Sequence, residues 1–166
     1  MRLISPTAEF KESWRAALDA FIDEGSDGFW NVPEPPTDID SYIQRTIDHS
    51  RGENLAEGWV PASTFWLVDK GEFIGHVNIR HELNDWIVKR GGHIGYYIAP
   101  AHRMKGYGSK ILELALLKAQ ALGIEKALLT CGDDNIGSRK IIERSGGEFE
   151  DVIDVNGEQI RRYWIQ

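Results

Sequence analysis

The residues whose types and spacing point most directly to chemistry lie in one segment, Gly95-Tyr-Tyr-Ile-Ala-Pro-Ala-His-Arg-Met-Lys-Gly-Tyr-Gly-Ser-Lys110. A strand-like run ends at Pro100, a basic loop with Arg103, Lys105, Gly106 and Gly108 follows, and a helical pattern opens directly after it. Such a junction suits an anion. The first-turn amides of a helix have no internal partners, and the macrodipole places about half a positive charge there. Glycines at 106 and 108 would let a phosphate approach the backbone closely, and the two basic side chains add charge. Other phosphate and nucleophile patterns are missing. Ile111 stands where a dinucleotide fingerprint needs its third glycine, Gly-Lys-Ser/Thr does not occur, and there is no Gly-x-Ser-x-Gly elbow. His81-Glu82 lacks a second histidine four positions on, and the lone Cys131 makes neither a disulfide nor a zinc cluster, so no metal is expected. Use of the same glycines for ATP or NAD stays open as an alternative.

Composition narrows the setting. The 166 residues hold 26 acidic and 19 basic side chains, a net charge of −7, with 42% hydrophobic residues, which fits a single domain spanning 1–166. Negative charge and dispersed basic residues argue against nucleic acid. An acidic surface would attract a cationic small molecule or a lysine-bearing protein, and it also serves solubility. Met1 to Pro6 has no apolar signal core, and the richest apolar stretch, Ile111 to Leu122, is interrupted by Glu113, Lys118 and Gln120. Neither a signal peptide nor a membrane span is expected, and one free thiol suits a reducing cytoplasm. Cys131 itself reads as a small core residue.

The elements that must position the loop follow from periodicity. Ser5-Pro6 opens a helix whose apolar face is Phe10, Trp14, Ala17, Leu18 and Phe21. Gly25 to Pro36 is a loop, and Thr37 with Asp40 resembles a capping box for a second helix carrying Ile39, Tyr42, Ile43 and Ile47. After a second loop, from about Gly52 to Pro61, Thr64 to Val68 and Phe73 to Ile79 read as a hairpin turned by Asp69-Lys70-Gly71. Glu82 to Arg90 suggests a short helical excursion before a strand at Ile94 to Ile98. A long helix from about Gly108 to Leu122, mostly covered, leads to a strand at Lys126 to Thr130 and a helix at Ile136 to Ser145. Strands at Glu148 to Val155 and Arg161 to Ile165 close the chain around an Asn156-Gly157 turn.

Arg103-Met-Lys-Gly106-Tyr-Gly108 resembles the Arg/Gln-x-x-Gly-x-Gly/Ala loop of the GCN5-related N-acetyltransferase (GNAT) superfamily, and the order of elements is similar over nearly the whole chain. The likeness is strongest from Gly92 to Phe149, where Ile94-Gly-Tyr-Tyr-Ile-Ala-Pro precedes the loop and Asn135 follows Gly108 by 27 residues. The resemblance implies an α/β (α+β) fold with a mixed, mostly antiparallel central sheet of six or seven strands and about four helices. It implies acetyl-CoA as co-substrate, its pyrophosphate on the amides of Met104, Lys105, Gly106, Tyr107, Gly108 and Ser109, with Arg103 beside them. The pantetheine arm would pair with backbone groups near Tyr97 and Ile98, where two strands splay apart, and would meet Asn135 and Ser138 on the following helix. Asn135 also reads as a plain helix N-cap.

The implied activity is N-acetyl transfer to a primary amine of a small molecule or peptide, by direct attack, in a monomer or homodimer. His93, where many relatives place a glutamate, is the expected base, with a structural hydrogen bond to a neighbouring strand as the competing reading. Glu82, His81 and Tyr96 are further candidates. Ile142 stands where many relatives carry an acidic tyrosine, so Tyr96 or water would have to protonate the thiolate; a catalytically silent CoA-binding module is the alternative. Phe29 and Trp30, with Asp27 and Glu34, lie in the loop that borders the acceptor pocket in this family and would suit a cationic acceptor.

Overall fold

The structure is a computed structural model that describes residues 1–25 and 36–166. In chain order it contains β1 (Arg2–Ile4), a 3-10 turn (Ala8–Phe10) leading into α1 (Lys11–Asp23), α2 (Ile39–Ser50), β2 (Ala62–Asp69), β3 (Glu72–Arg80) and β4 (Ile94–Ile98). A second 3-10 turn (Pro100–His102) precedes α3 (Tyr107–Ala121), β5 (Ala127–Gly132), α4 (Ile136–Arg144), β6 (Glu148–Val155) and β7 (Glu158–Ile165). The seven strands form two antiparallel sheets, ordered β1-β2-β3-β4 and β5-β7-β6. Among the described residues no helix is long and apolar enough to cross a membrane.

Both tight hairpins use the same device. Lys70 and Gly71 (φ 50° and 81°) and Asn156 and Gly157 (φ 55° and 87°) are consecutive left-handed residues, the turn whose twist matches that of the flanking strands. Strand alternation then sends neighbouring residues to opposite layers. Leu67, Val77 and Ile79 pack with Ile111, Leu112 and Ala115 of α3, while Trp66 and Phe73 pack with Trp14, Leu18 and Phe21 of α1 and Tyr42 of α2. Trp66, Trp14 and Tyr42 form one aromatic cluster, with Trp66 6.1 Å from each of the other two and these 5.4 Å from each other. α3 is covered less completely than its composition suggests, since Leu117 is exposed.

Two local expectations are corrected. Asp38, not Thr37, caps α2: its extended backbone lets the carboxylate accept the Ser41 amide at 2.8 Å, which also holds its pKa below the ordinary carboxylate range. Glu82 to Arg90 forms no regular helix. Asn84 Oδ1 accepts from the Trp86 and Ile87 amides, Arg90 N–H reaches the Trp86 carbonyl, and the turn stops at Gly91 and Gly92, both left-handed.

The two sheets meet at one end only. Gly92 bridges Leu129, His93 N–H donates to Leu128 O at 2.7 Å, Leu128 N–H donates to His93 Nδ1 at 2.9 Å, and Gly91 N–H donates to Thr130 Oγ1 at 2.8 Å. Beyond this clasp β4 and β5 have no ladder between them. Gly92 is indispensable to it: φ is 62°, and a Cβ would sit 2.3 Å from Leu128 O. Gly92→Ala is expected to lower stability by about 2–3 kcal/mol, read as a reduced midpoint in denaturant with an unchanged slope.

Two histidines are buried in the fold, His93 at this clasp and His76 further along β3, opposite Tyr97. Burial pushes His76 down to about 3, and burial together with the nearby Arg80 lowers His93. His76 stays neutral in the fold and His93 takes up a proton less readily than in the unfolded chain, so below pH 6.5 the unfolded chain binds more protons than the native chain. Their contribution is complete above pH 6.5 and is lost as pH falls. The melting temperature is expected to be level from pH 7 to 8 and to decline between 6.5 and 5, with a shallower decline in His76→Gln.

Candidate active site

The divergence of β4 from β5 opens a cavity of about 390 Å³. Ile94, Gly95, Tyr96 and Tyr97 of β4, Leu129 to Gly132 of β5, and Asn135, Ser138 and Ile142 around α4 line it, with Arg80, Arg90, Asp134, Glu158 and Ile160 completing the wall.

Backbone alternation determines which β4 groups face the opening. Arg80 N–H donates to His93 O and Ala99 N–H donates to Ile74 O, so the pairs at 93, 95, 97 and 99 point their backbone toward β3. The groups turned to the open side are therefore those of Ile94, Tyr96 and Ile98. Of the two expected positions, Ile98 has its backbone on the open side and Tyr97 has its own turned to β3; the Tyr97 side chain packs near Phe21 and His76.

The loop before α3 is built as a concave set of donors. Met104 and Gly106 are both left-handed, at φ 60° and 83°, and Met104 is fully exposed. Lys110 is the first residue to donate back, to Gly106 O at 3.3 Å. Among the described residues, no carbonyl or side chain accepts from the amides of Met104, Lys105, Gly106, Tyr107, Gly108 or Ser109. Successive free amides of this kind form an anion-binding nest at a helix N-terminus.

The glycines and cations of the loop also have roles within the fold. Gly106 supplies the positive φ and opens onto free space, but Gly108 allows helix packing, since a Cβ there would fall 2.7 Å from Ile141 Cδ1 of α4. Arg103 donates to both carboxylate oxygens of Glu24, at 2.8 and 2.6 Å, and to Ile98 O at 3.2 Å, and its guanidinium lies over Phe21. Lys105 Nζ donates to Ala101 O at 2.8 Å. Tyr107 anchors the start of α3 by donating to Asp69 Oδ2 at 3.0 Å. The anion-attracting groups are therefore the amides more than the side chains.

Of the expected catalytic residues, only Tyr96 lies on the cavity. Its hydroxyl is 3.3 Å from Ser138 Oγ, and burial raises its pKa, so it holds its proton. His93 is not on the wall. Its Nδ1 lone pair is occupied by the Leu128 amide, which leaves the proton on Nε2 and no free lone pair to accept another. His93 joins the two sheets through these bonds, which favours the structural reading of it over that of a base. Glu82 is exposed and off the cavity, and His81 Nε2 pairs with Ser63 Oγ at 2.8 Å.

Asn135 Oδ1 accepts the Ser138 amide at 3.0 Å, so it caps α4 while also lining the cavity. Cys131 and Ile142 are buried, and burial raises the thiol to about 11. Phe29, Trp30, Asp27 and Glu34 lie outside the described residues. The sequence reading missed Arg80, although His76, Asn78 and Arg80 alternate along β3, a polar period unusual on a strand with two covered faces.

An acetyltransferase (GNAT) domain family model matches residues 11–148. No curated protein sequence matches the chain. Among solved structures, a microcin C7 self-immunity acetyltransferase in complex with acetyl-CoA and AMP superposes with a TM-score of 0.69 at 18% identity, covering 98% of this chain and 90% of that one. A spermidine N-acetyltransferase from Vibrio cholerae gives 0.66 at 19% identity over 99% and 94%. A ribosomal α-N-protein acetyltransferase in complex with coenzyme A gives 0.67 at 15% over 98% and 92%. These likenesses show the shared fold. The family match covers most of the chain, and with the free loop amides beside a splayed strand pair it leads to one conclusion: this protein belongs to the GNAT acetyltransferase family, whose members are acetyl-CoA-dependent.

Proposed function

We propose that the protein transfers an acetyl group from acetyl-CoA to a primary amine of a small molecule or peptide by direct attack. The observation that carries this reading is the run of six unpartnered amides from Met104 to Ser109, in the loop that joins β4, one wall of the cavity, to α3. Those amides fit a diphosphate. The outward backbone groups of Tyr96 and Ile98 fit the amides of a pantetheine arm, and Asn135 and Ser138 stand across the cavity from them. When bound, acetyl-CoA supplies the activated acetyl group and a thiolate leaving group.

The chain's own contribution is to place protons. Tyr96 Oη, kept protonated by burial and held by Ser138, is the donor available to a departing thiolate in place of the side chain that Ile142 lacks. With His93 occupied, the carboxylates on the described wall are Asp134 and Glu158, the latter paired with Arg90 at 2.6 Å. Weak base assistance favours an acceptor that is easily neutralised. An α-amino group with pKa near 8 needs about 1.4 kcal/mol to be neutral at pH 7, whereas a lysine-like amine near 10.4 needs about 4.6 kcal/mol. The related folds include proteins named for a ribosomal α-amino group and for spermidine, which differ in this respect; the wall described here supports the less basic kind.

Two results are expected. Gly106→Asp should weaken CoA binding at least tenfold in calorimetric titration, through like charge at the nest, while Gly106→Asn, which tolerates the left-handed backbone without charge, should lose less. In thiol-release assays over a panel of amines, Tyr96→Phe should lower kcat about tenfold to a hundredfold without changing the KM for acetyl-CoA, and should remove the loss of rate at high pH that deprotonation of this hydroxyl causes. Binding of CoA with no product from any amine would instead support the silent module, the reading that the buried Ile142 and the occupied His93 favour.

A further inference from the structure

The cavity wall carries one cation for which the described fold provides no counter-ion. Arg80 closes β3, opposite Ala62 of β2, and lines the cavity. Its Nη1 donates to Gly91 O at 3.3 Å and Gly92 O at 3.1 Å, and among the described residues no carboxylate reaches it. Burial depresses its pKa, with the nearby Tyr97 opposing the shift, as for a charge taken from water without a carboxylate partner. The other charged groups on the wall stand differently: Arg90 and Glu158 neutralise each other and are both about half exposed, and Asp134 is exposed.

Gly95 adds an independent observation. Its φ is not left-handed, so the backbone does not require glycine there, and a Cβ would meet only Arg80, 3.6 Å from Nη1 and 4.0 Å from Nη2. An ordinary side chain would fit sterically at its first carbon and would then cover the guanidinium. Glycine at this position leaves the cation open to the cavity. Arg80 therefore keeps Nε and Nη2 as donors beyond those given to the glycine carbonyls, a fork that matches the two oxygens of an acid.

We propose that Arg80 is a specificity residue that binds an acid group of the acceptor, carboxylate or phosphate, so that the substrates are amines carrying an acid. This rests on the acetyltransferase reading and narrows it: polyamines would set positive charge against the guanidinium, whereas an amino acid or a phosphorylated amine would neutralise it.

The test uses matched pairs, α-amino acids against their carboxamides and phosphoethanolamine against ethanolamine, assayed by thiol release with the wild-type chain, Arg80→Gln and Arg80→Lys. Glutamine removes the charge while keeping a polar amide on the side chain, and matching melting curves and CoA affinity check that the fold is retained. Wild type should use the acid-bearing member of at least one pair with kcat/KM tenfold or more above its neutral partner. Arg80→Gln should abolish that preference, chiefly through KM of the acid-bearing amine, with the affinity for CoA unchanged, and Arg80→Lys should restore part of it. Which pair responds separates carboxylate from phosphate. Equal use of both members by wild type, or a preference that survives in Arg80→Gln, overturns the proposal. Calorimetry of the same pairs on the CoA-loaded chain separates the two readings: Arg80-dependent binding without turnover upholds the acid site while acetyl transfer fails, and turnover of neutral amines with no dependence on Arg80 does the reverse.

Discussion

Everything in this site follows from a pairing that stops. β4 and β5 are joined through Gly91, Gly92 and His93 on one side and Leu128 to Thr130 on the other, and then separate. A strand edge freed in this way carries backbone donors and acceptors that need partners. Water can supply them, and so can a ligand with amides at strand-like spacing. The clasp sets where the opening begins, the alternation along β4 sets which backbone groups face it, and α3 starts where that strand ends. A change at the clasp would therefore move the whole site without touching a residue that meets substrate.

Electrostatics in the loop that follows β4 is a matter of fixed dipoles. The chain as a whole is acidic, with a net charge of −7, and the two loop cations are held within the protein, Arg103 by Glu24 and Lys105 by the Ala101 carbonyl. What remains to attract an anion is a rigid set of amides at the start of a 15-residue helix. Such donors are already oriented, so binding does not require ordering long flexible side chains. Arg103 acts at one remove, tying the strand end and the end of α1 together around the loop.

Local chemistry made much of this legible in the sequence. Lys70-Gly71 and Asn156-Gly157 announce hairpins because only a left-handed pair joins twisted strands so tightly, and Asn135 announces α4 because its side chain satisfies an amide that the helix cannot. The loop was readable for the same reason, and the donor followed from its likeness to the GNAT pattern. What could not be read depends on residues far apart in the chain. His93 looked like a base because the Leu128 amide that occupies its ring nitrogen is 35 residues away. The packing role of Gly108 was hidden because Ile141, which fills the space beside it, belongs to another helix. Asp38 displaced Thr37 as a cap by a shift of one residue, a distinction made by backbone conformation rather than residue type.

The central claim concerns the backbone nitrogens from Met104 to Ser109, and nuclear magnetic resonance of the ¹⁵N-labelled chain reads them one by one as coenzyme A is added. The amide resonances of these six residues, together with those of Tyr96 and Ile98, are expected to shift in proportion to saturation, more than those of the outer surface of the β6–β7 hairpin. Saturable binding that leaves the resonances of the loop in place would contradict the account.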